Sequence, residues 1–179
     1  MKCTAAKKPL QARVGDGTAI EGKLEPPQAE ARTVSKPRGF YTAEWLLGAS
    51  WKEWTRFLRS NSSERRMEGA VVTLLTPDPD ARTTRIESLA DYWNLTVEYP
   101  FRHPDPRIES VAPNWPLLAT IAEGVMVSRW AIEESDAMTL EMNPRFWGWD
   151  VESTLWLKWA FIESEFLGVL ETDGLLIDH

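Results

Sequence analysis

STLWLKWAFIES, residues 153–164, and FLGVLETDGLLID, residues 166–178, decide how the chain is read. With a period of two, Leu155, Leu157, Trp159 and Phe161 share one face of a strand. With a period near 3.6, Leu155, Trp159, Ile162, Phe166 and Val169 or Leu170 share one face of a helix. The aromatic enrichment favours the extended form. Asp173-Gly174 between two apolar runs is a hairpin signal. Strand is therefore the reading, and one long C-terminal helix is its alternative.

Upstream, VMVSRWAIEE (125–134) and AMTLEM (137–142) look like strands around Ser135-Asp136. Asn114-Trp115-Pro116 has the form of a helix start, an Asn cap with proline in the first turn. LTVEYPF (95–101) alternates like a strand. Thr84-Arg85-Ile86-Glu87 has the form of a capping box and predicts a helix to about Trp93. Pro77-Asp78-Pro79-Asp80 reads as a turn, and MEGAVVTLL (67–75) as a short strand or a buried helical turn. Thr42 can cap a helix through TAEWLLGASWKEWTRFLRSN (42–61). The predicted class is α+β, with N-terminal helices packed on a curved antiparallel sheet formed mainly by the C-terminal third. The alternative is a mainly α fold with a long C-terminal helix.

The chain has 179 residues, enough for one domain with a sizeable core. Residues 1–38 hold eight Lys/Arg against four Asp/Glu, four of the twelve prolines and no aromatic residue. Such a stretch reads as a flexible basic arm, leaving 39–179 as a single α+β domain. One cysteine, Cys3, excludes an internal disulfide framework and a Cys-rich zinc site. With only His103 and His179 besides, no metal site is expected. The net charge of -7 argues against nucleic acid as a ligand. No run of about eighteen apolar residues is present, so no membrane span is expected. The start, MKCTAAKKPLQARVG, lacks the apolar core of a secretory signal, so an intracellular location is expected. Phosphate-binding glycine loops, the serine-hydrolase elbow and the paired-histidine zinc motif are absent, and no cofactor is expected.

The FLGVLETDGLLID piece resembles the terminal hairpin of the cone-shaped superfamily that includes nuclear transport factor two, SnoaL-type polyketide cyclases and limonene-epoxide-hydrolase-type enzymes. LTVEYPF, followed by a loop and a helix, resembles that superfamily's first strand. The resemblance spans residues 41–179 at the level of pattern. It implies helices laid against a bent sheet around a pocket, general acid/base chemistry inside it, and homodimers through the outer sheet face. The arm and the Pro77–Asp80 turn have no counterpart in that pattern.

Two groups of residues could serve such a pocket. His103 and Asp105 lie between prolines at the end of the stretch holding Glu98 and Tyr99. A His beside a carboxylate at a strand end suits proton transfer, so His103, Asp105 and Glu98 are the catalytic candidates. Tyr99, with Arg145, Trp147, Trp149 and Asp150 of NPRFWGWD, are the ligand-binding candidates, aromatics with polar anchors. Each group also has a plain structural reading, as a solvated loop and as core tryptophans. The first functional reading is thus a cofactor-free acid/base enzyme of isomerase, cyclase, dehydratase or epoxide-hydrolase type, acting on an apolar small molecule. The second comes from charge. From Ile108 onward there are thirteen Asp/Glu and three Lys/Arg, with Glu133, Glu134, Asp136 and Glu141 close together. That suits a non-catalytic accessory, effector or inhibitor protein that binds a basic protein partner.

Overall fold

The computed structural model describes residues 8–15, 40–45, 70–102, 107, 112–137, 149, 151–170 and 176–177. In chain order the elements are β1 (Gln11–Gly15), β2 (Phe40–Glu44), β3 (Val71–Pro77), β4 (Thr83–Ile86), α1 (Leu89–Glu98), α2 (Trp115–Ile121), β5 (Gly124–Val127), α3 (Arg129–Ala137), β6 (Ser153–Trp156), β7 (Phe161–Leu170) and β8 (Leu176–Ile177). They fall into two compact units. One comprises residues 1–22, 41–81 and 160–179, the other residues 23–40 and 82–159.

The first unit is antiparallel, in the order β2-β1-β3-β7-β8. β1 lies between β2 and β3, with Gln11 opposite both Glu44 and Leu75. Ala12 faces Ala43 and Leu74, and Ala12, Ala43, Val72 and Leu75 are buried. Lys8, just before β1, donates from Nζ to the carbonyls of Asp78 and Ala81. Those carbonyls lie at the two ends of the Asp78–Ala81 turn, in which the Ala81 N–H bonds back to the Asp78 carbonyl at 3.0 Å and Asp78 Oδ1 accepts from the Asp80 N–H at 2.8 Å.

The second unit is mixed. β4 and β5 are parallel, and β5 and β6 are antiparallel. β5 and β6 are buried along their whole length, which explains why GVMV and STLW carry no polar alternation. Ser88 caps α1 by accepting from the Asp91 N–H, and Leu89, Tyr92, Leu95 and Thr96 form its buried stripe. Asn114 caps α2 in the same way through Leu117, with Pro116 in the first turn as the sequence predicts.

Glu123 ties the strands together. Its carboxylate accepts from the Arg82 backbone N–H at 2.6 Å and from the guanidinium at 3.1 Å. Its carbonyl accepts from the N–H groups of Leu157 and Lys158. Burial pushes the carboxyl pKa up. The hydrogen bonds from Arg82, with the charges of Arg82 and Lys158, outweigh that and hold it below its ordinary value.

Several expectations are corrected. The class is α+β, but the described helices are not N-terminal and the sheet is not a C-terminal feature. Four strands precede the first described helix, and the three short helices among the described residues lie between Leu89 and Ala137. The long-helix alternative fails too, because residues 153–156 and 161–170 are strands, as their aromatic content predicts. Thr42 is a buried strand residue, not a helix cap: β2 finds hydrogen-bonding partners in β1, and the Trp45 N–H continues the pairing onto the Leu10 carbonyl at 2.9 Å. Residues 46–69 lie outside the described part. Inside the stretch read as an arm, Gln11–Gly15 forms a strand with a neighbour on each side. Thr84–Glu87 does not open a helix. Thr83–Ile86 pairs with β5, and the cap is four residues later, at Ser88. Leu95–Glu98 is helical, because Leu95 and Thr96 complete the buried stripe; the chain leaves the helix where Pro100 follows. Arg129–Ala137 is helical for the same reason, with Ala131, Ile132 and Ser135 inward.

Two outcomes are expected. A Cβ on Gly124 would lie 3.1 Å from Cε3 of the buried Trp156 ring and 3.4 Å from the Leu155 carbonyl oxygen. Gly124→Val should therefore cost about 1–3 kcal/mol in urea unfolding. The depressed Glu123 pKa stabilises the fold fully above the ordinary carboxyl value of 4.5, and this is lost as pH falls through the lower folded value. Glu123→Gln should lower the melting temperature at neutral pH and flatten its decline below that value.

Candidate functional site

Of the catalytic candidates, His103 and Asp105 lie outside the described residues. Glu98 is the last residue of α1 and is exposed. Tyr99 is the helix's C-terminal cap, its N–H bonded to the Leu95 carbonyl at 2.9 Å. Its hydroxyl donates to Glu98 Oε1 at 2.8 Å, and that bond raises the phenol's pKa. Both were expected on a strand; they terminate a helix instead. Beyond them, Pro100 bridges to Pro113, and the Asn114 N–H bonds to the Tyr99 carbonyl at 2.7 Å. The chain thus brings Glu98 and Tyr99 together at a solvent-facing helix end. Among the ligand-binding candidates, Trp149 is a buried residue of the second unit. Arg145, Trp147 and Asp150 lie outside the described residues.

The acidic residues are placed differently from expectation. Glu133, Glu134 and Asp136 are on helix α3, not near a hairpin, and Glu141 lies outside the described residues. β4 and β5 each lead into a helix at their C-terminal ends, the place where parallel α/β units commonly seat anionic ligands. Here the chain's own carboxylates take those positions. Glu134 Oε2 accepts from the Leu89 N–H at 2.7 Å, and Glu152 Oε2 from the Arg129 N–H at 3.1 Å. Asp91 Oδ2 accepts from the Glu87 N–H at 3.0 Å and the Ser88 hydroxyl at 2.9 Å. An anionic substrate would have to displace these. The ion pairs Arg85–Glu87 and Arg129–Glu133 on the same end are solvent-exposed and add little stability.

Sequence reasoning missed two features of the first unit. One is a buried polar row: Gln11, Thr42, Glu44 and Thr73. Thr42 Oγ1 donates to Gln11 Oε1 at 2.7 Å, which pins β1 against β2. The alternation of polar residues with alanine in QAR and TAE is the signal that could have revealed it. The other is the outer side of β7. β3 pairs along β7 from Phe161 to Val169, whereas among the described residues β8 meets β7 at Val169 and Leu170. Ile162, Glu163, Ser164, Glu165 and Phe166 are exposed in succession, Ile162 by 58% and Phe166 by 52%.

Among the described residues no group of His, Cys, Asp and Glu is arranged to hold a metal ion. No described helix is long and apolar enough to cross a membrane. Comparison of the chain with protein-family models, curated proteins and solved structures gave no match.

If Glu134 and Glu152 serve as helix caps, Glu134→Ala and Glu152→Ala should each destabilise the fold by about 0.5–2 kcal/mol in chemical denaturation. Glu133→Ala, which breaks only an exposed pair, should stay within about 0.5 kcal/mol of the parent.

Proposed function

We propose that this protein is a non-catalytic binding module whose partner is a basic protein segment. The observation that carries this reading is the run Ile162–Phe166, where two exposed carboxylates, Glu163 and Glu165, sit beside two exposed large apolar side chains. Charge next to apolar surface is the composition of a docking patch: the charge steers and selects, and the apolar groups supply burial. The net charge of -7 extends the same bias over the whole chain. The acid/base enzyme reading draws less support. Its described residues are an exposed Glu98 bonded to a half-buried Tyr99 and a buried tryptophan, and the helix starts of the second unit already hold carboxylates.

The test is titration of the full chain with a lysine-rich peptide and a glutamate-rich peptide of equal length at low and high salt. The lysine peptide should bind alone, roughly tenfold or more weaker once salt screens the charges. Equal binding of both peptides, or none of either, would overturn the proposal.

A further inference from the structure

We infer that β7 receives this basic segment as an added strand along Glu163–Phe166, with the partner's basic and apolar side chains alternating in a set sense. The inference rests on the proposed preference for a basic partner and adds how that partner is held.

The register with β3 sorts the side chains of β7. Phe166 is opposite Thr73 and Ser164 opposite Leu75, and both of those β3 residues are buried. Ser164 and Phe166 therefore share the face of the buried Thr73 and Leu75. Glu165 is opposite Leu74 and Glu163 opposite Thr76, on the other face. Thr76 Oγ1 donates to Glu163 Oε2 at 3.4 Å, in keeping with that placement. The partner is thereby specified. Residues next to Ser164 and Phe166 should be apolar, extending the buried face past the rim. Residues next to Glu163 and Glu165 should be Lys or Arg.

The edge is built to hold one register. Register shifts lie between Val72 and Thr73 and between Thr76 and Pro77, leaving Leu167 and Ile162 unmatched on β7. Beside the first, Gly168 has φ 152°, a conformation that favours glycine. Such bulges bend a strand and limit how far a neighbour can slide. The regular run between them is Glu163–Phe166, every side chain of which is exposed. Along this run no described strand occupies the side of β7 away from β3.

A second copy of the chain does not fit. Antiparallel self-pairing centred on Ser164 would place Glu163 opposite the other copy's Glu165, twice. Like charges directly across a ladder are destabilising, and charged residues on edge strands commonly block self-association. The same two carboxylates favour a strand of opposite charge. Backbone pairing then supplies affinity and the alternation supplies selectivity, as in other cases of strand addition.

Three synthetic peptides test this on the full chain by calorimetric titration: an alternating Lys-Val peptide, one of the same composition with Lys and Val in separate blocks, and the alternating peptide N-methylated at its central amides. The alternating peptide should bind best. The blocked and N-methylated peptides should each be weaker by roughly tenfold or more, since they lose register or backbone donors. The double variant E163K/E165K should reverse the preference, toward an alternating Glu-Val peptide. Glu165→Gln, measured alongside with circular dichroism of both variants, covers the case in which the reversal impairs folding; it should weaken the Lys-Val peptide without inverting the choice. Equal affinity of all three Lys-Val peptides would overturn strand addition while leaving the basic-partner reading intact. Unchanged Lys-Val binding by both variants would overturn the site. Failure of every lysine peptide would overturn the basic-partner reading itself.

Discussion

The pairing of β1 on both its sides is the constraint from which the first unit follows. A strand between two others has both rows of backbone donors and acceptors satisfied only when both neighbours are present. Gln11 lies opposite Glu44 on one side and Leu75 on the other. Ala12 leaves room for Ala43 and Leu74 on one face, and the Thr42–Gln11 hydrogen bond fixes the other. Sliding the strand by one residue would drive Gln11 into the alanine face and break that bond. Lys8 holds the same strand lengthwise by binding the carbonyls of the turn after β3.

How much of this was legible depends on whether a signal was local. Asn114 with Pro116 was readable because cap and proline act within one turn. The proline turn at 77–80 was readable for the same reason, and so was the extended character of 153–156 and 161–164, though not the break between them. β1 and β2 were not. Gln-Ala-Arg-Val-Gly and Phe-Tyr-Thr-Ala-Glu carry modest strand signals, and what makes them strands is a partner far away in sequence. The alternation in LTVEYPF misled because four residues cannot separate a half-buried strand from the end of a helix; Leu95 and Thr96 belonged to the stripe begun by Leu89 and Tyr92. Of the candidate site, the placement of Glu98 beside Tyr99 followed from adjacency alone. The exposure of Ile162–Phe166 could not be read, because it depends on what packs beside β7, and nothing local in IESEF encodes that.

The acidity of the chain has structural as well as surface uses. Glu134 and Glu152 each leave their own segment to satisfy the first backbone donors of another, where the helix dipole favours negative charge. Glu123 does comparable work at the junction of β4, β5 and β6. Counting carboxylates therefore overstates the free negative surface. The carboxylates of β7 are different in kind, since their exposure leaves them facing solvent.

The long separation between β1 and its neighbour β3 has a consequence for biosynthesis. Roughly sixty residues of chain separate Gln11 from Leu75, so a ribosome working at about 5–20 residues per second emits the first strand several seconds before its second flank exists. During that interval the segment has to stay soluble with its ladder incomplete. Its own composition allows this: Gln, Arg and Gly outweigh one Ala and one Val, too little greasy surface to clump while it waits.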